Sequence, residues 1–434
     1  MDPQYRHFDV HPKIVPAGKE CTVTVRPLYP HAAFPVDYKW EVMAVSRERV
    51  IDRTSYQSVG TRPAVTLHED GSLSFPFRFE GEQEHRFRIQ GGKGEHTIVR
   101  GDFNVYSLDA DLYSRRPYKG DLHLHTIYSD GKCSPAYMAA RCRELGLDFL
   151  AITDHHTYQG SVEAIAAYKD APVDVRLYGG EEVHPPGNWV HMVNFGGSQS
   201  VNALIGQDKD AYLKAVAEIE KTLPDMQGLA RHQYASCVWC YRQIQAGGGL
   251  AVLCHPHWNY WFAYSVSEPE LVRHFADWPC DALELIGGYS LKEVDCNVLQ
   301  VARWRDACVK HGRDFPIVGA SDAHSADETD HILGWYYTIV FSPTLELADL
   351  VASIKAGYSV AVEAIPGQTP RVHGTYRMTK YAYFALNELF GQHDEYCREE
   401  GRLMRAYAAG DPAAAAALAA LQGRCAKWLE ACRQ

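Results

Sequence analysis

Residues 121–131 read DLHLHTIYSDG, and this stretch decides the fold. Asp121 to Leu124 is a short strand candidate, and His123 and His125, two residues apart, fall on one face of it. Ser134-Pro135 then opens a helix, with an N-cap hydroxyl followed by proline at the first helical position. The same grammar returns downstream. Residues 148–152 read as a strand that ends in Asp154-His155, with a helix after Gly160. Further strand candidates are 175–178, 190–195, 249–254, 282–286, 316–320 and 336–341, and helical segments around 210–222, 236–246, 295–311 and 345–356 fall between several of them. Repeated βα units imply an α/β fold with a parallel sheet, and this many imply a barrel, whose chemistry sits at the C-terminal ends of the strands. His123, His125, Asp130, Asp154-His155, His255-Pro256-His257 and Asp322-Ala323-His324 all fall at such ends. Imidazoles and carboxylates delivered from successive strands suit a cluster of divalent metals, with Zn, Mn or Fe as the candidates.

The flanks differ from this central region. Residues 1 to about 110 alternate polar and apolar side chains between turn signals such as Glu69-Asp70-Gly71, which predicts a small β-sandwich without a catalytic constellation. From about 375 the chain turns helical, and Ala413 to Ala417 is a strongly helix-forming run that would pack against the barrel or form an oligomer contact.

A chain of 434 residues has room for two or three domains. Its net charge of −11 argues against a nucleic-acid-binding surface. A metal cluster makes its own site positive whatever the global sign, so an anionic substrate stays compatible. The twelve cysteines lack the spacing of a disulfide scaffold. Cys237-Val-Trp-Cys240 has zinc-like spacing but no second pair, and reads as helix packing. No basic region followed by an apolar one opens the chain, and no apolar stretch approaches 18 residues. The expectation is a cytoplasmic protein with reduced thiols and a small-molecule substrate, without nucleic-acid or membrane partners, and with scope for a homo-oligomer.

The ordered series DLHLHTIYSDG, ITDH, GGEEVH followed by His191, CHPH and SDAH resembles a PHP (polymerase and histidinol phosphatase) domain over about residues 118–365. The whole layout also resembles the carbaryl-hydrolase-type branch of that superfamily, with a β-rich N-terminal region and a helical tail carrying His393-Asp394 and Glu399-Glu400-Gly401. The resemblance implies a distorted (βα)7 barrel at 118–365, a β-rich domain at 1–112, a helical extension at 375–434, and two to three divalent metal ions. It implies that His123, His125, Glu182 and Asp322 hold a first metal, and that Glu182 bridges to a second held by His191 and His255. Asp130, His155 and His324 would hold the third. Glu181 beside Glu182 is an ambiguity, and the family pattern Gly-x-Glu followed by a β-branched residue favours Glu182. Cys254 precedes His255 where a small or aliphatic residue is commoner.

Asp154, which would orient a ligand or accept a hydrogen bond from substrate, and His257 are the catalytic candidates beside the metals. His156, His184 and His331 lie near them in sequence. Trp258, Asn259 and Tyr260 follow the metal-type histidine and are the substrate-binding candidates. The segment HPHWNYWF favours a substrate with a flat or apolar part. Neither a GxSxG elbow nor a P-loop occurs, so metal-activated water is the expected nucleophile. The leading function is a phosphoesterase acting on a small phosphorylated metabolite or nucleotide. A carboxyl ester, carbamate or amide hydrolase on the same cluster is the alternative, and a non-catalytic metal-containing binding protein the third reading. A cation placed to clamp phosphate oxygens would favour the first, with Arg231, Lys292, Arg313 and Arg371 as candidates.

Overall fold

The computed structural model describes residues 7–48, 60–260, 262–288, 294–327 and 332–433. Lys292, His331 and the side chain of Tyr260 lie outside the described residues. The chain forms two compact units, Met1–Arg116 with Lys380–His393 and Gly423–Gln434, and Pro117–Thr379 with Asp394–Gln422. The C-terminal segment from about 375 is thus divided between the two units. Among the described residues, no helix is long and apolar enough to cross a membrane.

Among the described residues, the first unit holds eight strands: β1 (Phe8–His11), β2 (Ile14–Pro16), β3 (Glu20–Pro27), β4 (Lys39–Ser46), β5 (Thr66–Leu67), β6 (Leu73–Arg78), β7 (Gln83–Lys93) and β8 (His96–Leu108). They form two four-stranded sheets, ordered β1-β3-β6-β5 and β2-β8-β7-β4. Alternate residues of both, among them Val23, Val25, Phe75, Val42, Phe87 and Phe103, meet in one apolar cluster. The sequence does not announce β8, because Arg100-Gly101-Asp102 breaks its alternation. The structure absorbs this break as a register shift at Ile89/Gln90, where Gly101 and Val99 pair with neighbouring residues of β7 and Arg100 is skipped.

The second unit carries β9 (Arg116–Asp121), β10 (Phe149–Ala151), β11 (Arg176–Tyr178), β12 (Gly180–Val183), β13 (Met192–Phe195), β14 (Leu250–Leu253), β15 (Asn259–Tyr260), β16 (Ala263–Tyr264), β17 (Ala282–Ile286), β18 (Ile317–Gly319), β19 (Tyr336–Ser342), β20 (Ser359–Glu363) and β21 (Arg371–His373). Helices such as Pro135–Glu144, Gln159–Tyr168, Gly228–Ala246, Val294–His311 and Leu347–Lys355 lie between them. The mixed α/β character expected is present, but in place of the expected distorted (βα)7 barrel the described residues show no closed barrel. The strands form a six-stranded sheet, β11-β10-β9-β19-β20-β21, and a separate five-stranded sheet, β12-β13-β14-β17-β18. Among the described residues, β9-β10-β11 and β14-β17-β18 run parallel, while β12-β13-β14 and β19-β20-β21 are antiparallel. No helix separates β12 from β13, and a short direct connection returns a strand antiparallel.

Two single-residue parallel bridges, His155↔Glu182 and Leu124↔Ala323, join the two sheets beyond the strand ends. At another seam Thr338 substitutes for a ladder bond, its hydroxyl donating to the Gly319 carbonyl at 2.6 Å and accepting from the Gly319 N–H at 2.9 Å. A Cβ at Gly319 would lie 2.6 Å from the Tyr337 carbonyl oxygen, so only glycine allows this approach. Leu122, Phe149, Val193, Val252, Val318 and Val340, drawn from both sheets, share an apolar cluster.

Helix starts follow the sequence signals. Ser134 accepts the Tyr137 N–H, and Ser267 with Glu270 forms a capping box on the helix Glu268–Asp277. Arg143, buried on the helix Pro135–Glu144, reaches Asp148 at 3.0 Å and Glu400 at 2.7 Å. Gly401 lets the helix Phe390–Ala408 approach, since a Cβ there would stand 2.3 Å from the Glu144 nitrogen. Arg143→Ala would leave two buried carboxylates without their cation, at a cost of about 3–5 kcal/mol; urea unfolding of the variant is expected to show that loss.

His85 and His274 are both pushed down to about 4 by burial. His85 sits between the Ser46 and Ser107 hydroxyls, and His274 between the Glu270 carbonyl and the Tyr241 hydroxyl. Both are neutral when folded and regain an ordinary value near 6.5 when unfolded. Their contribution to stability is therefore complete above pH 6.5 and is lost as pH falls toward 4. With two extra protons bound by the unfolded chain, the slope reaches at most about 2.7 kcal/mol per pH unit. Urea unfolding between pH 7 and 4 is expected to show this fall, and a smaller one in a His274→Gln variant.

Candidate metal centre

Asp121, at the end of β9, is buried without facing the cluster. Its Oδ1 accepts the backbone N–H of His123 at 3.2 Å and of Ser321 at 3.1 Å. One carboxylate thereby ties together the two segments that carry His123, His125, Asp322 and His324. Burial raises this carboxyl to about 7, against the hydrogen bonds that favour its charge. His255 and Asp322 adopt left-handed backbone, with φ of 23° and 52°. Such conformations persist only where the surroundings impose them.

The side chains gather around Glu182. Its Oε1 lies 3.4 Å from His123 Nε2, 2.9 Å from His191 Nδ1 and 3.5 Å from His255 Nε2. Asp322 Oδ1 lies 2.9 Å from His125 Nε2 and 3.4 Å from His123 Nε2. Asp130 approaches His155 Nε2 at 3.3 Å, His324 Nε2 at 3.2 Å and His125 Nδ1 at 3.8 Å. The structure thus brings His123, His125, Asp130, His155, Glu182, His191, His255, Asp322 and His324 together. Their ligating atoms fall into overlapping groups close enough to share an ion: His123/Glu182/His255, His123/His125/Asp322 and His125/Asp130/His155/His324.

The electrostatics of this pocket call for positive charge. Burial opposes ionisation of Glu182, yet His191, His123, His155 and His184 hold its carboxyl well below the usual range. Asp322 is likewise held far down against burial, chiefly by His123 and His125. Burial pushes His125 and His191 down to about 4, which leaves them as neutral donors. His155 is raised against burial to about 10 by Glu182 and Asp130. His123 Nε2, His125 Nε2 and both Glu182 oxygens are buried and have no hydrogen-bond partner among the described residues. Neutral imidazoles and ionised carboxylates with desolvated, unsatisfied atoms fit divalent cations, which take the place of the protons.

The Glu181/Glu182 ambiguity resolves by strand alternation. Glu181 points away from the histidines and accepts hydrogen bonds from the Ser200 hydroxyl at 2.7 Å and the Asn202 amide at 3.0 Å. Asp154 is buried behind the site and does not line its cavity. Its Oδ1 accepts from the Thr126 N–H and the Ser129 hydroxyl, each at 2.7 Å, and its Oδ2 from the Thr126 hydroxyl at 2.6 Å. It therefore shapes the loop that delivers Asp130. Gly160 makes room for it, since a Cβ there would lie 1.9 Å from Asp154 Oδ2.

His257 is turned out of the cluster, contrary to the catalytic expectation. Its ring packs 5.2 Å from that of Tyr264, and it does not line the cavity. The left-handed turn at His255 and the following Pro256 break the i, i+2 relation that would put both histidines on one face. Trp258 does line the cavity, with its ring 5.2 Å from His255. Asn259 is exposed on β15 and does not.

Of two close neighbours of the cluster, His184 was noted from sequence as lying near the candidates, and Glu284 was not singled out. Glu284 Oε2 lies 2.8 Å from His123 Nδ1, with both residues fully buried, and would fix that ring's tautomer and aim. Its signal was a lone carboxylate in the apolar strand ALELI. His184 stands 3.1 Å from Glu182 Oε2 and stacks on His191 with ring centres 3.9 Å apart. The cavity above the cluster measures about 740 Å³ and is walled by Trp189, Trp258, Ile205 and the cluster itself. Among the described residues that line it, none is lysine or arginine. Arg313 lines a different hollow, Arg371 pairs with Glu363, and Arg231 sits on the helix Gly228–Ala246 away from the cavity lining.

Residues 121–217 match the PHP domain family model. A 5′-3′ exoribonuclease of Haemophilus influenzae is 25% identical over 295 residues, which cover 54% of this chain and 97% of that protein. A DNA polymerase/3′-5′ exonuclease of Bacillus subtilis is 40% identical over 57 residues, and the chain spans only 10% of that protein's length. Among solved structures, a two-domain protein of Bacteroides vulgatus named for a PHP-like metal-dependent phosphoesterase is 16% identical, with a TM-score of 0.38 over 57% of this chain and 65% of that one. A Bifidobacterium adolescentis protein named as a metal-dependent phosphoesterase is 20% identical, with a TM-score of 0.33 over 49% of this chain and 89% of that one. The span that matches the PHP domain family holds His123, His125, Asp130, His155, Glu182 and His191, and the cluster continues beyond it to His255, Asp322 and His324.

Removing the carboxylate behind His123 should loosen the centre without unfolding the chain. Glu284→Gln is expected to lower affinity for Zn or Mn by roughly 10–100-fold, read by chelator competition with an unchanged circular dichroism spectrum as control.

Proposed function

We propose that this protein is a metal-dependent hydrolase of phosphoesters, acting on a small phosphorylated molecule. The observation that carries the reading is the buried ring of imidazoles around Glu182 and Asp322, with the Asp130/His155/His324 group beside it. In this reading His123, His125, Glu182 and Asp322 hold one divalent ion, Glu182, His191 and His255 a second, and Asp130, His155 and His324 a third. Divalent ions so held supply an activated water near neutral pH and draw charge from the leaving oxygen. The chain's own part is to hold every donor in place: Glu284 behind His123, Asp154 behind Asp130, and Asp121 between the two ligand-bearing segments. Trp189 and Trp258 line the cavity above the cluster.

The PHP domain match and the exoribonuclease relative support hydrolysis at phosphorus. The net charge of −11 and a cavity lining without lysine or arginine among the described residues favour a small substrate over a long polyanion. The twelve cysteines lack the spacing of a disulfide scaffold, which suits a reducing compartment such as the cytoplasm.

A second reading, hydrolysis of a carboxyl ester or carbamate on the same cluster, is favoured by that same lack of a phosphate-clamping cation and by the tryptophans at the mouth. The layout resembling the carbaryl-hydrolase-type branch belongs to this reading.

Initial rates on metal-quantified protein, with aryl phosphate mono- and diesters beside aryl acetate and N-methylcarbamate esters, separate the two. Phosphoester turnover is expected, falling to background in Asp322→Ala together with a loss of bound metal. Turnover of carbonyl esters alone would move the protein to the second reading. Full activity and unchanged metal in Asp322→Ala would end both.

A further inference from the structure

A hollow of about 460 Å³ lies within the second unit and shares no lining residue with the metal-site cavity. It sits against the starts of β18 and β20, whereas Asp322 follows the other end of β18. The Ser359 hydroxyl donates to the Ile317 carbonyl at 2.7 Å and ties those two strand starts together. Three cationic side chains, Arg313, Lys355 and Arg377, line the hollow beside one acidic residue, Asp314. That balance is positive in a chain whose net charge is −11, and it is the reverse of the acidic metal-site cavity. The cations arrive from three separate places: the loop before β18, the end of the helix Leu347–Lys355, and the first turn of the helix Tyr376–Glu388. They are therefore not a charged stripe along one helix. Arg313 is exposed and makes no ion pair among the described residues; its guanidinium lies 4.5 Å from the centre of the Phe315 ring. A guanidinium resting on an aromatic face keeps its N–H donors available to an oxyanion. Lys355 Nζ lies 2.7 Å from Asp281 Oδ1, but Asp281 also accepts the Gln245 amide at 3.1 Å and the Ala251 N–H at 3.0 Å. The ammonium can thus turn toward a ligand while the buried carboxylate stays hydrogen-bonded. Trp278, half-buried, completes an apolar wall, with its ring 4.5 Å from that of Phe315.

We infer that this hollow is a binding site for a small organic phosphate, separate from the metal centre. Arg313 and Arg377 meet the phosphate oxygens, Lys355 adds charge, and the Trp278–Phe315 wall takes the apolar part. Three cations approaching from three segments suit a tetrahedral dianion, whereas a planar carboxylate is satisfied by a single bidentate arginine. The first turn of the helix Tyr376–Glu388 lines the same hollow, and the positive end of a helix dipole adds to the attraction. The volume falls in the range of about 300–1,000 Å³ usual for small-molecule sites. Nothing in the inference depends on the hydrolase reading, because the metal cluster contributes no residue to the hollow.

The test treats metal-loaded wild-type protein with phenylglyoxal and follows each arginine by peptide mass spectrometry. Phenylphosphonate, inorganic phosphate or chloride is present at equal ionic strength. Phenylphosphonate is expected to slow modification of Arg313 at least fivefold, and to do so at lower concentration than inorganic phosphate. Arg26, exposed on β3, is expected to react at an unchanged rate. The same protection of Arg313 is expected in Asp322→Ala, since the metal centre takes no part in it. By calorimetry, Arg313→Gln/Arg377→Gln is expected to lose one phenylphosphonate site per chain while its metal content stays that of wild type. Equal slowing by chloride, equal slowing at Arg26, or loss of protection in Asp322→Ala overturns the inference. So does an unchanged phenylphosphonate stoichiometry in the double variant. Inorganic phosphate protecting better than phenylphosphonate overturns the assignment to an organic ligand. Failure of the hydrolase reading shows separately: no ester is turned over by the metal-loaded wild type, yet the protection of Arg313 persists.

Discussion

A carboxylate buried among imidazoles is the constraint on which the second unit depends. Glu182 is almost wholly removed from solvent, with His123, His155, His184, His191 and His255 all within ion-pairing distance. Burying an ionised carboxylate is costly unless it is paired and hydrogen-bonded. Here the pairing is supplied by imidazoles: the carboxylates raise His123, His155 and His255 against burial, while burial holds His191 down, and divalent cations shared by these donors would take the place of the protons. The two β-sheets meet at this point, through the His155↔Glu182 bridge and again at Leu124↔Ala323. Metal binding and the closing of the two sheets on one another are therefore coupled: an ion that binds only the assembled donors stabilises the assembly.

The residues that hold the donors are as informative as the donors. Asp121 fastens two ligand-bearing segments by their backbones, Asp154 fixes the loop of Asp130, and Glu284 orients His123. Each is a buried carboxylate one step removed from the cavity. The bond from the Ser321 N–H to Asp121 supports the left-handed backbone at Asp322, and at His255 the Ser265 hydroxyl and the Trp258 N–H hold the carbonyl. The rest of the cavity has a different character. Its tryptophans offer contact area without charge, and among the described residues that line it none is lysine or arginine.

The candidate site was legible to an unusual depth because its residues cluster in short motifs at strand ends. His123, His125, Asp130, His155, Glu182, His191, His255, Asp322 and His324 were named from order and resemblance, and the structure gathers them. The failures were local. His257 looked equivalent to His255, but a left-handed turn and a proline rotate it toward Tyr264. Glu284 carried no motif, and His184, the last residue of GGEEVH, stood only as a neighbour of the candidate ligands; their closeness to His123 and Glu182 is visible only as distances. In the fold, alternating strands and helices read as a parallel barrel, whereas the connection between β12 and β13 has no crossover helix and turns that part antiparallel. The strand β8 escaped notice because its bulge interrupts the alternation that reveals strands.

The sequence by itself determined the donor set, the strand ends that carry it and the α/β character of the central region. These follow from side-chain type and short-range periodicity, which are properties of adjacent residues. Tertiary structure decided which of Glu181 and Glu182 faces the histidines in space and how the sheets divide. It also decided which carboxylates stand behind the donors and what fills the mouth. Those outcomes depend on contacts between segments tens to hundreds of residues apart, as between His123 and Glu284 or Asp121 and Ser321. No local pattern encodes such distances; packing sets them.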